Sequence, residues 1–198
     1  MVGVGIPLMK RIDPIIHFWF EGIDDQAPID RNALPFKKWF VQDKALDEEI
    51  RCRFEVDLQK AAEGKYAGWE DSPSGRLALI LLFDQFSRNM YRDTEKMFAY
   101  DAKALELTMR TIEEGKDKQC LLIHRAFLYL PLMHAEDLGF QRMSVKYYTD
   151  LVKDSKETNP ENTHYYDYTL KYAREHCDTV TRFGRFPHRD RILGRIVS

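Results

Sequence analysis

Apolar residues recur at three- and four-residue spacing along most of the chain, which predicts helices. Asp13-Pro14 opens the first, with an N-cap followed by proline at the first helical position. IIHFWF (15–20) then runs to Gly22, and a polar loop bearing Pro28 and Pro35 follows. Asp47 caps the next helix, with Ile50, Phe54, Leu58 and Ala61 on one side before Gly64. Ser72-Pro73 opens a third whose centre, LALILLF (77–83), is apolar on every side and so must be buried. A fourth begins near Thr94, with Phe98, Ala102, Leu105, Met109 and Ile112 as its inner face and Gly115 as its stop. A fifth covers 118–129, and Pro131 breaks the run there. A sixth spans 131–153. Asn159-Pro160 opens the last, which carries Tyr165, Tyr168, Tyr172, Ala173, Cys177 and Val180 on one side and ends at Gly184.

No strand pair and no Gly-rich strand-to-helix turn is evident. The pattern predicts an all-α fold of antiparallel helix pairs, roughly seven to eight helices, in a single domain over 13–198 after a loose tail at 1–12. Length and composition agree: 198 residues with 44% hydrophobic side chains suffice for one core. A net charge of -2 leaves nucleic-acid binding to a local patch. Cys52, Cys120 and Cys177 are odd in number and widely spaced, which points to buried free thiols in helices rather than a disulfide framework. No run is long and apolar enough for a membrane span and no leader is visible, so the expected location is cytoplasmic.

Several polar residues fall on apolar faces. Asp84 continues the line of Leu77, Ile80 and Leu81, and Arg88 lies four residues on. Such a carboxylate must be paired or must line a cavity. Either it fixes helix register with Arg88, or Asp84, Gln85, Arg88 and Arg92 project into a pocket. Asp101, between Phe98 and Leu105, is a further partner for Arg88 or Arg92. In PLMHAED (131–137), His134 and Asp137 share a face and Glu136 points elsewhere. His176 sits beside the apolar face of the last helix. Spacing among His134, Glu136, His176 and His188 does not suit a helical metal site, and neither a metal nor a cofactor is expected.

Residues 182–195, RFGRFPHRDRILGR, hold five arginines against one aspartate. Phe183, Phe186, Ile192 and Leu193 are interleaved with them and would pin the segment to the bundle. Pinned arginines suit bidentate capture of carboxylate or phosphate, or they pair with Asp84, Asp101 and Glu136. The tripeptide His188-Arg189-Asp190 occurs in protein-kinase catalytic loops, but the other kinase elements are missing.

FWF (18–20), LALILLFDQFSRN (77–89), FLYLPLMHAED (127–137) and RFGRFPHRDRILGR together resemble the family known as domain of unknown function 924, over residues 13–195. The chain departs from the family pattern at Ser87, Ala135 and Asp190, where proline, serine and asparagine are usual. The resemblance implies a tetratricopeptide-like array of antiparallel helix pairs and brings no established activity. The residues themselves point to a small-ligand site: Gln85, Arg88, Arg92, Arg185 and Arg189 to hold an anion, His134 and His188 to transfer protons, Asp84 and Glu136 to orient them. Hydrolysis or group transfer is the corresponding reaction class. The alternative is a non-catalytic scaffold whose concave face binds a peptide.

Overall fold

The computed structural model describes residues 11–30 and 34–196, apart from the side chains of 34 and 35, and every regular element among them is helical. Residues 1–10 of the expected tail lie outside the described residues. Arg11 and Ile12 already belong to the fold: Ile12 is buried, and Arg11 forms an ion pair with Asp57. Helix α1 (Ile12–Phe20) sends Trp19 and Phe20 into the core, where they meet Phe86 and Phe127.

Helix α2 (Leu34–Phe40) occupies a stretch that reads as loop in the sequence. Pro35 falls in its first turn, where a missing N–H costs little, so this proline marks a start rather than a break. Helix α3 (Lys44–Ala62) is capped by Asp43, whose carboxylate accepts from the Ala45 and Leu46 amides. Asp47, expected as the cap, is buried one turn further in.

Helix α4 (Pro73–Ile80), capped by Ser72, continues through a π-helical segment, Leu81–Phe86, into α5 (Ser87–Met90). Residues 77–83 are all buried, as an all-apolar helix requires. Helix α6 (Asp101–Glu113) starts later than Thr94, because Glu95–Phe98 forms only a 3-10 turn. Its buried side is Ala104, Leu107, Thr108 and Thr111, and Ala102 faces solvent. The two threonine hydroxyls donate to the Leu128 and Leu107 carbonyls at 2.9 and 2.6 Å, which lets them into the core. An inner face drawn through Leu105, Met109 and Ile112 is therefore rotated from the true one.

Helix α7 (Leu122–Leu128) is shorter than the expected 118–129 and leads directly to α8 (Leu130–His134). The helix expected over 131–153 is interrupted. Asp137 is extended and caps α9 (Leu138–Thr158) by accepting from the Phe140 amide at 3.0 Å. This break ends α8 at His134 and leaves Glu136 outside any helix, so His134 and Asp137 do not share a helical face. A short turn then reverses the chain into α10 (Thr163–Phe183), which packs antiparallel along α9. Gly184 leaves α10 at φ +67, a left-handed conformation that favours glycine. The cysteines are free, but Cys52 is exposed and the other two are only partly buried, against the expected core thiols. No helix among the described residues is long and apolar enough to cross a membrane.

Candidate functional site

Asp84 sits on the π-helical segment and is 1% exposed. Four interactions hold it. Its Oδ1 meets His134 Nδ1 at 2.6 Å and Arg88 Nη1 at 3.0 Å. Its Oδ2 accepts from Gln85 Nε2 at 2.5 Å, and its backbone carbonyl accepts from Arg88 at 3.0 Å. Burial alone would raise the carboxyl, but Arg88, His134 and Gln85 outweigh it and hold it below the usual carboxylate range. Burial pushes the His134 imidazole down; Asp84 pulls it back, and Arg88 and Arg189 add to the lowering. An ionised Asp84 beside a neutral ring places the proton on Nδ1 and leaves Nε2 as the free acceptor.

Arg88 bridges Asp84 to Asp101, with 2.8 Å between Arg88 Nη2 and Asp101 Oδ2. Arg189 reaches the same aspartate at 3.6 Å and donates to the His134 carbonyl at 2.9 Å. Its guanidinium lies 4.7 Å from the ring centroids of both Phe98 and Phe186, a cation–π arrangement. Burial and the neighbouring Arg88 lower the Arg189 pKa. Two arginines and two carboxylates thus balance in one buried network around His134.

His134 also separates two clefts. One, of about 270 Å³, has aromatic walls from Trp39, Phe40, Tyr165, Tyr168 and Tyr172, and polar lining from Gln85, Arg88, Asn89, Arg92, His134 and His176. The other, of about 260 Å³, is lined by Asp84, Asp101, Glu136, Asp137 and Arg189, and His134 is the one described residue common to both. His176 Nδ1 donates to the Tyr172 carbonyl at 2.9 Å, and burial lowers its pKa, so it too presents a neutral ring.

The structure therefore brings together Asp84, Gln85, Arg88, His134 and Arg189 from the sequence-predicted set. Arg92 lines the aromatic cleft but is gripped by Asp47, at 2.6 and 2.8 Å, with Asn89 at 2.7 Å. Sequence reasoning missed Asp47, although it extends the Ile50–Phe54 stripe of α3 just as Asp84 extends the stripe of α4. It also missed the cleft aromatics, which read as ordinary core. Of the remaining predicted residues, Glu136 lines the second cleft with His134 and Arg189, whereas Arg185 and His188 lie outside both clefts. Arg185 is held by Asp190 at 3.0 Å, and Glu136 accepts from the Phe186 amide at 2.8 Å and from Arg195 at 2.9 and 2.6 Å. His188 is exposed beside Phe186. Of the four expected pins, Phe186 is buried, Ile192 and Leu193 are partly buried, and Phe183 is exposed, because the chain reverses at Gly184 between the two phenylalanines. Glu136 fastens the C-terminal segment and does not touch either histidine ring. Among the described residues no three His, Cys, Asp or Glu side chains converge as metal ligands would.

A solved structure of a protein of unknown function from Agrobacterium tumefaciens, ATU0120, is similar over 96% of this chain and 93% of its own, with 34% identity and a TM-score of 0.78. Comparison with curated proteins finds no match. The family model described as "Bacterial protein of unknown function (DUF924)" matches residues 15–198, and the chain belongs to that family.

Proposed function

We propose that the protein binds a small organic anion in the aromatic-walled cleft, and that His134 acts there as a general base for hydrolysis or group transfer. One observation carries the reading. The charged side chains among the described lining residues are Lys38, Arg88 and Arg92, with no carboxylate. Their partners, Glu21 for Lys38, Asp84 and Asp101 for Arg88, and Asp47 for Arg92, do not line the cleft. An anion entering the cleft meets the cationic end of each pair first, and a low local dielectric strengthens that attraction. Arg92 keeps one η nitrogen without a partner among the described residues.

The chemistry follows from His134. Asp84 fixes the ring with its proton on Nδ1, and Nε2 takes a proton from water as the water oxygen attacks a carbonyl or phosphoryl centre. The same nitrogen returns that proton to the departing oxygen as its bond breaks, giving an acid and an alcohol. Asp84 acts as a positioning residue, and Arg88 keeps Asp84 ionised.

Thermal unfolding tests the binding step, because a ligand selective for the native state raises the midpoint by mass action. Hexanoate should raise it, the neutral hexanamide should not, and Arg92→Gln should abolish the rise. Equal stabilisation by the acid and the amide would sink the anion reading. No effect of hexanoate or inorganic phosphate would move the cleft to the peptide-binding scaffold. For the chemical step, hydrolysis of p-nitrophenyl succinate should vanish in His134→Gln while hexanoate still binds.

A further inference from the structure

Beyond the anionic group, the same cleft carries information about the rest of the ligand. Six large apolar residues are conspicuously exposed among those described, and three of them, Phe40, Val41 and Tyr172, line this cleft. Phe40 is 44% and Tyr172 41% exposed, in a chain with ample core to receive them. Exposed apolar side chains gathered at one opening mark a binding surface rather than chance.

These rings are not isolated. Phe36 and Phe40 lie 4.8 Å apart between centroids, Phe40 and Tyr168 6.1 Å, and Tyr168 and Tyr172 4.8 Å. They form a continuous ladder from α2 to α10. Deeper in, Trp39 and Tyr165 extend it at 6.1 Å, and the Trp39 indole donates to the Trp19 carbonyl at 2.8 Å, which fixes its ring. The wall is therefore aromatic from its exposed rings, Phe40 and Tyr172, to its buried ones, Trp39 and Tyr165. The same lining carries Arg88, Arg92 and the two imidazoles His134 and His176 beside those rings. Aromatic rings carry a quadrupole and favour offset or edge-on contact with another ring over an alkyl group of equal area. Guanidinium groups in the lining favour a planar carboxylate or a phosphate.

We infer that the ligand of the aromatic cleft is an aryl anion, a flat aromatic ring bearing a carboxylate or phosphate, with its ring along the Phe40–Tyr168–Tyr172 ladder and its charge toward Arg88 and Arg92. This rests on the anion reading above and adds the substrate class. Benzoate and phenyl phosphate are the smallest molecules that satisfy both ends.

Isothermal titration with four probes separates this inference from the reading beneath it. Benzoate should bind about tenfold more tightly than cyclohexanecarboxylate, the saturated ring of nearly the same size. Benzamide should bind far more weakly than benzoate. In the double variant Phe40→Leu with Tyr172→Leu, the preference for benzoate over cyclohexanecarboxylate should fall by threefold or more. Both replaced rings are exposed, so the variant keeps its core, and an unchanged thermal midpoint checks that. Equal affinity for the flat and saturated acids would overturn the aryl inference and leave the anion reading standing. Equal affinity for benzoate and benzamide would overturn the anion reading, and the aryl anion with it. Phenyl phosphate reports which charged group the two arginines prefer: binding stronger than benzoate supports the phosphate form of the inference, and binding weaker supports the carboxylate form.

Discussion

Two arginine networks hold the C-terminal half together, and they use the same ion pairs at different depths. The inner one joins Asp84, Arg88, Asp101 and Arg189 around His134, with the Arg88 side chain 14% exposed. The outer one joins Arg185, Asp190, Arg195 and Glu136, with its arginine side chains 32% and 34% exposed. Distances within the two are alike. What differs is the alternative open to each group when its partner is lost. An outer arginine turns further into water, whereas Arg88 and Arg189 are mostly withdrawn from it, so losing a partner costs the inner network more. The inner network is also the one that touches both clefts.

The comparison breaks most sharply at Asp84. Asp84→Ala leaves Arg88 and Arg189 to share Asp101, an uncompensated positive charge in a mostly buried cluster, and frees the His134 ring, at an expected cost of about 3–5 kcal/mol. Urea denaturation measures it, and a loss under about 1 kcal/mol would mean that water reaches the inner network as freely as the outer one. The aromatic residues beside the two networks divide in the same way. Phe186 packs against His176 and Arg189, and Phe186→Ala should cost about 3 kcal/mol or more. Phe183→Ala should stay within about 0.5 kcal/mol, as for an ordinary surface change. Similar losses for the two would contradict the reversal at Gly184.

The all-helical class and the buried 77–83 segment were legible, because both follow from local periodicity and caps. So was the inner network in part: Asp84 stood out as a charge on an apolar stripe, and charges there need partners. What could not be read was which partner each arginine takes. Asp47 and Arg92 are 45 residues apart, and only the packing of α3 against α5 brings them together. Arg185 and Arg189 look equivalent in RFGRFPHR, yet the turn at Gly184 and the 3-10 turn Pro187–Arg189 send one outward and the other inward. The break before α9 was hidden as well, because Pro131 drew attention to the wrong end of the helix, while Asp137 makes the cap.

A partly buried titratable group without a charged partner sharpens the contrast with Asp84. His124 lies against Phe20, 4.5 Å between ring centroids, and burial pushes its pKa down to about 4. Asp13, His17 and Asp24 line the same hollow and do not reverse the shift. The folded pKa lies below the unfolded value, so the unfolded chain binds the extra proton as pH falls. Stability is complete above about pH 6.5 and declines toward pH 4, by about 2–3 kcal/mol once partial solvent access is allowed for. His134, His176 and His188 shift in the same direction and add to the slope. His124→Phe should flatten denaturation midpoints between pH 6.5 and 4.5, leaving only the slope of the other three. A variant as acid-sensitive as the wild type would show that the inner network, and not His124, governs the response.

The smallest expected effect tests the outer network against the site itself. Arg185, a third exposed, pairs with the buried Asp190, and the solvated arginine end is screened by salt. Arg195 also reaches Asp190, at 3.7 Å, so the carboxylate keeps a cation when Arg185 is removed. Arg185→Ala should therefore move the thermal midpoint by no more than about 2 °C. It should also leave the rise produced by hexanoate or benzoate untouched, because Arg185 does not line the aromatic cleft. Arg92→Gln, with its guanidinium in that cleft, should abolish the same rise. If Arg185→Ala abolishes it instead, the anion sits at the C-terminal turn, and the inner network serves only to hold the helices in register.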